Sequence, residues 1–195
     1  MRNLVFVAVC LLAFCAVSVA QDVPQFEVFG GWNIILPEEY VPVDSLNGWE
    51  GSFTVNGNEY LSAVIDVSGL YTGWESNEVG MSSMHNFMVG PQFRLTKVSE
   101  KFVPFVRALF GLSHIRFSDQ AEDEEGTPIN DEGQLNQNGF AMAFGGGVDF
   151  NLNDRISIRP AQIEYVTARF NTIGRAEFVN FTRFAAGVII KIGER

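Results

Sequence analysis

The chain has two cysteines among its 195 residues, Cys10 and Cys15, and both lie at its very start. The rest of the chain has no thiol, which excludes a disulfide scaffold and any Cys-based metal or redox centre. Histidine is as scarce. Only His85 and His114 occur, with no metal-ligand spacing such as two His four apart on a helix. Positive charge is outnumbered, 13 basic residues against 23 acidic, for a formal net charge of −10. That excess repels phosphates and argues against a nucleic-acid partner. Beyond the first twenty residues no apolar run approaches the ~20 residues a helix needs to cross a bilayer. No helical period appears either.

What is present begins with a leader, MRNLVFVAVCLLAFCAVSVAQ. Arg2 is a short basic start, Leu4 to Val17 is apolar, and Ser18-Val19-Ala20 sets small residues where signal peptidase reads. This is the pattern of a secretory signal peptide. A lipid-modified cysteine needs a small residue just before it, but Val9 and Phe14 stand there. Cleavage is expected after Ala20, leaving one domain, residues 21–195, with a net charge of −11 once Arg2 is gone.

The remainder alternates. In GWEGSFTVNG (48–57), Trp49, Gly51, Phe53 and Val55 oppose Glu50, Ser52 and Thr54. In YLSAVIDVSGLYTGW (60–74), Ile65, Val67 and Tyr71 oppose Ser62, Asp66 and Ser68. Period two marks a strand with one apolar and one polar face. Asn56-Gly57 between the two is a hairpin signal. The same alternation predicts strands over 25–34, 86–95, 102–114, 155–170 and 181–193. In 155–170 the phase slips at Pro160-Ala161, which predicts a bulge.

Residues 140–152, FAMAFGGGVDFNL, pose a question of their own. A phosphate-cradling loop needs its glycines between a strand and a helix N-terminus, and no helix follows. Phe140, Met142, Phe144, Gly146, Val148 and Phe150 instead continue one strand face. Glycines inside a strand mark sharp bending or close packing by a neighbour. That makes eight strands. Long links are expected at 35–47, 72–85, 115–138 and 171–180, and short ones at 56–59, 96–101 and 152–155. The fold predicted is all-β, an eight-stranded antiparallel up-and-down transmembrane β-barrel, with the last strand closing on the first.

Alternation alone leaves two architectures open: a membrane barrel with its apolar face outward, or a secreted soluble barrel binding an apolar ligand inside. Three features favour the membrane. The polar face carries both signs of charge: Glu27, Glu50, Asp66, Arg94, Arg107, Asp149, Arg159, Glu164, Arg183 and Lys191. Turned inward, these predict an ion-pair network filling a narrow lumen. The apolar face carries aromatics near the expected strand ends, Trp32, Trp49, Tyr71, Phe102, Phe150 and Phe184, as a membrane girdle would. Phe110 and Phe144 extend that lipid-facing set. The links are also asymmetric, tight at one rim and long at the other.

Phe87-Met88-Val89-Gly90-Pro91, Pro104-Phe105, Gly145-Gly146-Gly147-Val148-Asp149, Arg159-Pro160 with Gln162, and Phe184-Ala185-Ala186-Gly187-Val188 resemble the small bacterial outer-membrane β-barrels of the outer membrane protein A and opacity-protein type. The resemblance covers almost all of the mature chain. It implies location in the cell outer membrane, contact with outer-membrane lipid, and a last strand read by the barrel assembly machinery. Gly187, Ile190 and Ile192 match that signal, although the usual terminal aromatic is replaced by Gly193-Glu194-Arg195. It implies a structural or adhesive role, with extracellular partners at the loops.

Little points to chemistry. Ser113-His114 is a tempting pair for a rim hydrolase, but successive strand residues face opposite sides. His85 and His114 read as polar rim residues. Asp119, Glu122, Asp123, Glu124, Glu125, Asp131 and Glu132 make one segment oxygen-rich enough for Ca²⁺ or Mg²⁺, without the fixed spacing of a calcium loop. A solvated loop is the alternative. No catalytic residue, cofactor or metal is expected.

Overall fold

The computed structural model describes residues 24–37, 45–72, 80–96, 99, 101–118, 136–172 and 175–193. The expected leader and the acidic segment 119–132 lie outside the described residues. Eight strands follow one another: β1 (Phe26–Pro37), β2 (Leu46–Asn56), β3 (Leu61–Tyr71), β4 (Gly80–Arg94), β5 (Phe102–Ser118), β6 (Asn136–Asn151), β7 (Ile156–Thr172) and β8 (Arg175–Ile192). Each pairs antiparallel with the next, and β8 pairs with β1 to close the barrel. Closure leaves no sheet edge, so backbone groups are satisfied within the wall.

The register sets the tilt. Phe105 faces Gly147, Gly147 faces Gln162, and the row continues through Ala185, Asn33, Gly48, Leu70 and Met84. It returns to β5 at Ile115, ten residues beyond its start. A stagger of that size inclines the strands by about 40–45° to the barrel axis.

Three tight turns close one rim, each held by a side-chain oxygen. Asn58 Oδ1 accepts the N–H groups of Tyr60 and Leu61, both at 2.8 Å. Asn153 Oδ1 accepts those of Arg155 (2.9 Å) and Ile156 (2.8 Å). Ser99 Oγ accepts from Lys101 at 3.2 Å. The Asn56-Gly57 signal works differently from expectation. Asn56 points inward and its Nδ2 donates to the Pro24 carbonyl at 2.7 Å, while Asn58 shapes the turn.

The opposite rim corrects the expected loops. Strands β1–β3 have 11 or 12 residues, but β4–β8 have 15 to 18. The extra length lies at the loop end. The link expected over 171–180 is mostly strand: Thr172 faces Arg175, so only residues 173 and 174 join β7 to β8. The expected slip at Pro160-Ala161 is present. Arg159 pairs with Gly187 and Gln162 with Ala185, so two residues of β7 oppose one of β8. Both Arg159 and Gln162 consequently point inward.

Candidate functional site

The interior is where the sequence concentrates its charge, and it is built in three levels. The middle level draws one side chain from each of five strands: Glu50, Asp66, Arg107, Glu164 and Arg183. All five side chains are wholly buried. Arg107 Nη2 donates to Glu50 Oε1 at 2.8 Å, to Asp66 Oδ2 at 3.1 Å and to Glu164 Oε2 at 3.1 Å. Its Nε donates to Glu164 Oε1. Arg183 uses Nε on Glu164 Oε2 at 2.8 Å and Nη1 on Asp66 Oδ1 at 3.2 Å, and its Nη2 also reaches Glu164. Gln162 Nε2 adds a donor to Glu50 Oε1 at 2.8 Å. Two guanidinium forks therefore meet three carboxylates. Ions taken from water this completely are tolerable only with such close, multiple partners.

At the turn-side level the charges form two pairs, and one of them is tied to the middle level through Gln162, whose Oε1 accepts from Arg159 Nη1 at 2.8 Å. Arg94 pairs with Glu27, which Asn56 Nδ2 supports at 3.2 Å. Arg159 forks onto Asp149, with Nε to Oδ1 at 2.7 Å and Nη2 to Oδ2 at 3.1 Å. The Arg159 guanidinium is also held between two rings, 4.7 Å from the Phe29 centroid and 4.2 Å from that of Phe105. Lys191 reaches Asn151 Oδ1 at 2.7 Å. Here the triple glycine finds its reason. A Cβ on Gly147 would stand 2.5 Å from the Ala161 carbonyl oxygen and 2.9 Å from the Phe105 ring, and one on Gly145 would stand 2.1 Å from the Ile163 carbonyl oxygen and 2.8 Å from Glu164 Cγ. These glycines allow close approach of the β7 backbone first, and also leave room for an inward aromatic and a network carboxylate.

The loop-side level is apolar. Ile35, Leu46, Leu70, Met84, Ile115, Val166, Ala168 and Phe181 pack together inside the barrel, all buried. Sequence reasoning missed this level, along with Phe29 and Phe105. The signal was available: Leu70 shares the phase of Asp66 and Ser68, and Phe181 that of Arg183.

The outer wall is apolar and exposed. Phe144 is 66% and Trp32 62% exposed, with Trp49, Tyr71 and Phe110 also exposed. Tyr71, Phe102 and Phe150 do sit near strand ends, as expected. Trp32 and Phe184 do not, while Phe110 and Phe144 are on the exposed wall as expected. All four lie mid-strand, and Trp32 faces Trp49 directly across β1 and β2. Phe184 is half-buried. His85 and His114 lie within β4 and β5 and face each other. Tyr71 Oη contacts His85 Nε2 at 3.2 Å, and His114 Nδ1 contacts Asn138 Oδ1 at 2.7 Å. Ser113 is buried on the inward face while His114 is on the outward one, so the two do not form a catalytic pair. Among the described residues no group of three His, Cys, Asp or Glu is arranged to hold a metal ion.

The sequence matches no known family and no characterised protein. Solved structures do match. Neisserial surface protein A superposes with a TM-score of 0.62 at 11% identity, over 86% of this chain and 97% of that one. Ail, the attachment invasion locus protein of Yersinia pestis, gives 0.53 at 12%, over 89% and 100%. The outer membrane protein OprG from Pseudomonas aeruginosa gives 0.51 at 12%, over 89% and 98%. The fold is that of the eight-stranded outer-membrane barrels.

Proposed function

We propose that the chain is an integral protein of the bacterial outer membrane, with a structural and surface-contact role and no catalysis. One observation carries the reading. A closed barrel turns its buried charges inward and presents an exposed apolar wall that includes Trp32, Trp49, Tyr71, Phe110 and Phe144, with half-buried Phe184 beside them. In water such a wall would be a large aggregation surface; in lipid it is the required one. The filled, charge-paired interior gives no support to a soluble barrel enclosing an apolar ligand. In this reading residues 1–20 are removed on export. The barrel assembly machinery takes β8 through Gly187, Ile190 and Ile192, and the loop-side strands meet extracellular partners. The name of the Yersinia protein points to attachment for that protein, and an adhesive role here is proposed on the shared fold and the tall loop-side strands.

The test is a denaturing gel of isolated outer membranes, run boiled and unboiled. A membrane band that shifts on boiling is expected. A soluble periplasmic protein without a shift would overturn the reading.

A further inference from the structure

The bulge in β7 leaves a mark on the outer wall. Pro160 and Ala161 stand opposite the single Ala186 of β8, and Pro160 has no N–H to offer across the gap. All three side chains are exposed and small or flat. Taller neighbours surround them: Trp32 faces Ala186 and Ile34 faces Phe184 across the β1–β8 pairing, and Ile163 completes the rim. The result is a groove of about 250 Å³, with no charged side chain in its lining. Gln162 and Ala185 close its floor, and both belong to the buried inward face.

We propose that this groove seats an acyl chain of one membrane lipid, so that the barrel carries a bound lipid as well as a lipid solvent. The inference rests on the membrane reading above. The occupant follows from continuity. The groove opens onto the same exposed apolar wall as Trp32 and Ile163, and in the membrane that wall meets lipid tails. Its lining offers no charged side chain to a headgroup, so it suits part of an apolar chain. A partner strand would need unpaired backbone groups, and the closed wall offers no sheet edge.

The experiment uses the full chain purified from outer membranes and returned to diacyl phosphatidylethanolamine vesicles. Benzoylphenylalanine is placed at Ile163 on the groove rim, or at Val89 on the far wall, and lipid adducts are counted by mass spectrometry after illumination. At least threefold more lipid adduct is expected at the rim. Ala186→Phe, which fills the groove, should bring the rim down to the far-wall level and leave the far wall unchanged. Ala161→Leu provides the same test should the first variant fold poorly. Equal adducts at both positions would overturn the proposal in favour of bulk lipid, and a cross-linked dimer would overturn it in favour of a protein interface. The heat shift is read on the same samples. Its absence sinks the membrane reading itself, whereas a normal shift with equal adducts sinks only the groove.

Discussion

The middle and the loop-side levels of the interior are equally dry but solve different problems. Around Arg107 and Arg183, five charges hold one another through directed bonds from five strands. Around Leu70 and Phe181, contact is undirected and only volume matters. The charged level fixes which strand residue meets which, because a guanidinium fork accepts few geometries. The apolar level tolerates repacking. The difference teaches that a narrow membrane barrel has a core in the ordinary sense. Its interior is charged at one level and apolar at another, and both are closed to solvent.

The sharpest way to break the contrast is Arg183→Met. It strands Glu164, Asp66 and Glu50 without their second cation, and about 3–5 kcal/mol of stability should be lost. Urea unfolding in lipid vesicles measures it. The paired change Arg159→Met with Asp149→Leu should cost far less than Arg159→Met alone, because it leaves no orphaned charge. A double-mutant cycle in the same assay shows whether the pair is separable from the middle level. In the apolar level, Met84→Ala should cost about 2–4 kcal/mol, with partial collapse of neighbours setting the value. On the outer wall, Phe144→Arg should cost about 2–4 kcal/mol at mid-membrane. If it proved harmless, the wall would not face lipid. The smallest effect expected is from Tyr71→Phe, which removes the contact to His85. A loss of about 0.5–1.5 kcal/mol would fit one net hydrogen bond.

Much of the wall was legible in the sequence. Lipid demands apolar side chains at every second position, so Phe140, Met142, Phe144 and their like declared the strands. The slip at Pro160-Ala161 was visible because Gln162 broke step with Ile156 and Ile158. The inward face was only half legible. Its charged members stood out, but Val64, Leu70 and Phe181 shared their phase and were passed over, since a dry interior sets no rule of polarity. The loop-side ends were illegible for a related reason. The alternation of apolar and polar residues fades there, and Asn171, Thr172 and Arg175 to Asn180 read as a loop although they pair in the sheet.

That last stretch has a consequence for how a partner would be met. A floppy loop loses freedom when it is gripped, about 1–2 kcal/mol for each backbone residue fixed. The β7–β8 hairpin, paired out to Thr172 and Arg175, has already given up that freedom during folding. Whatever touches it meets a preformed ridge at little entropic cost. Such a surface favours slow release and a narrow choice of partners.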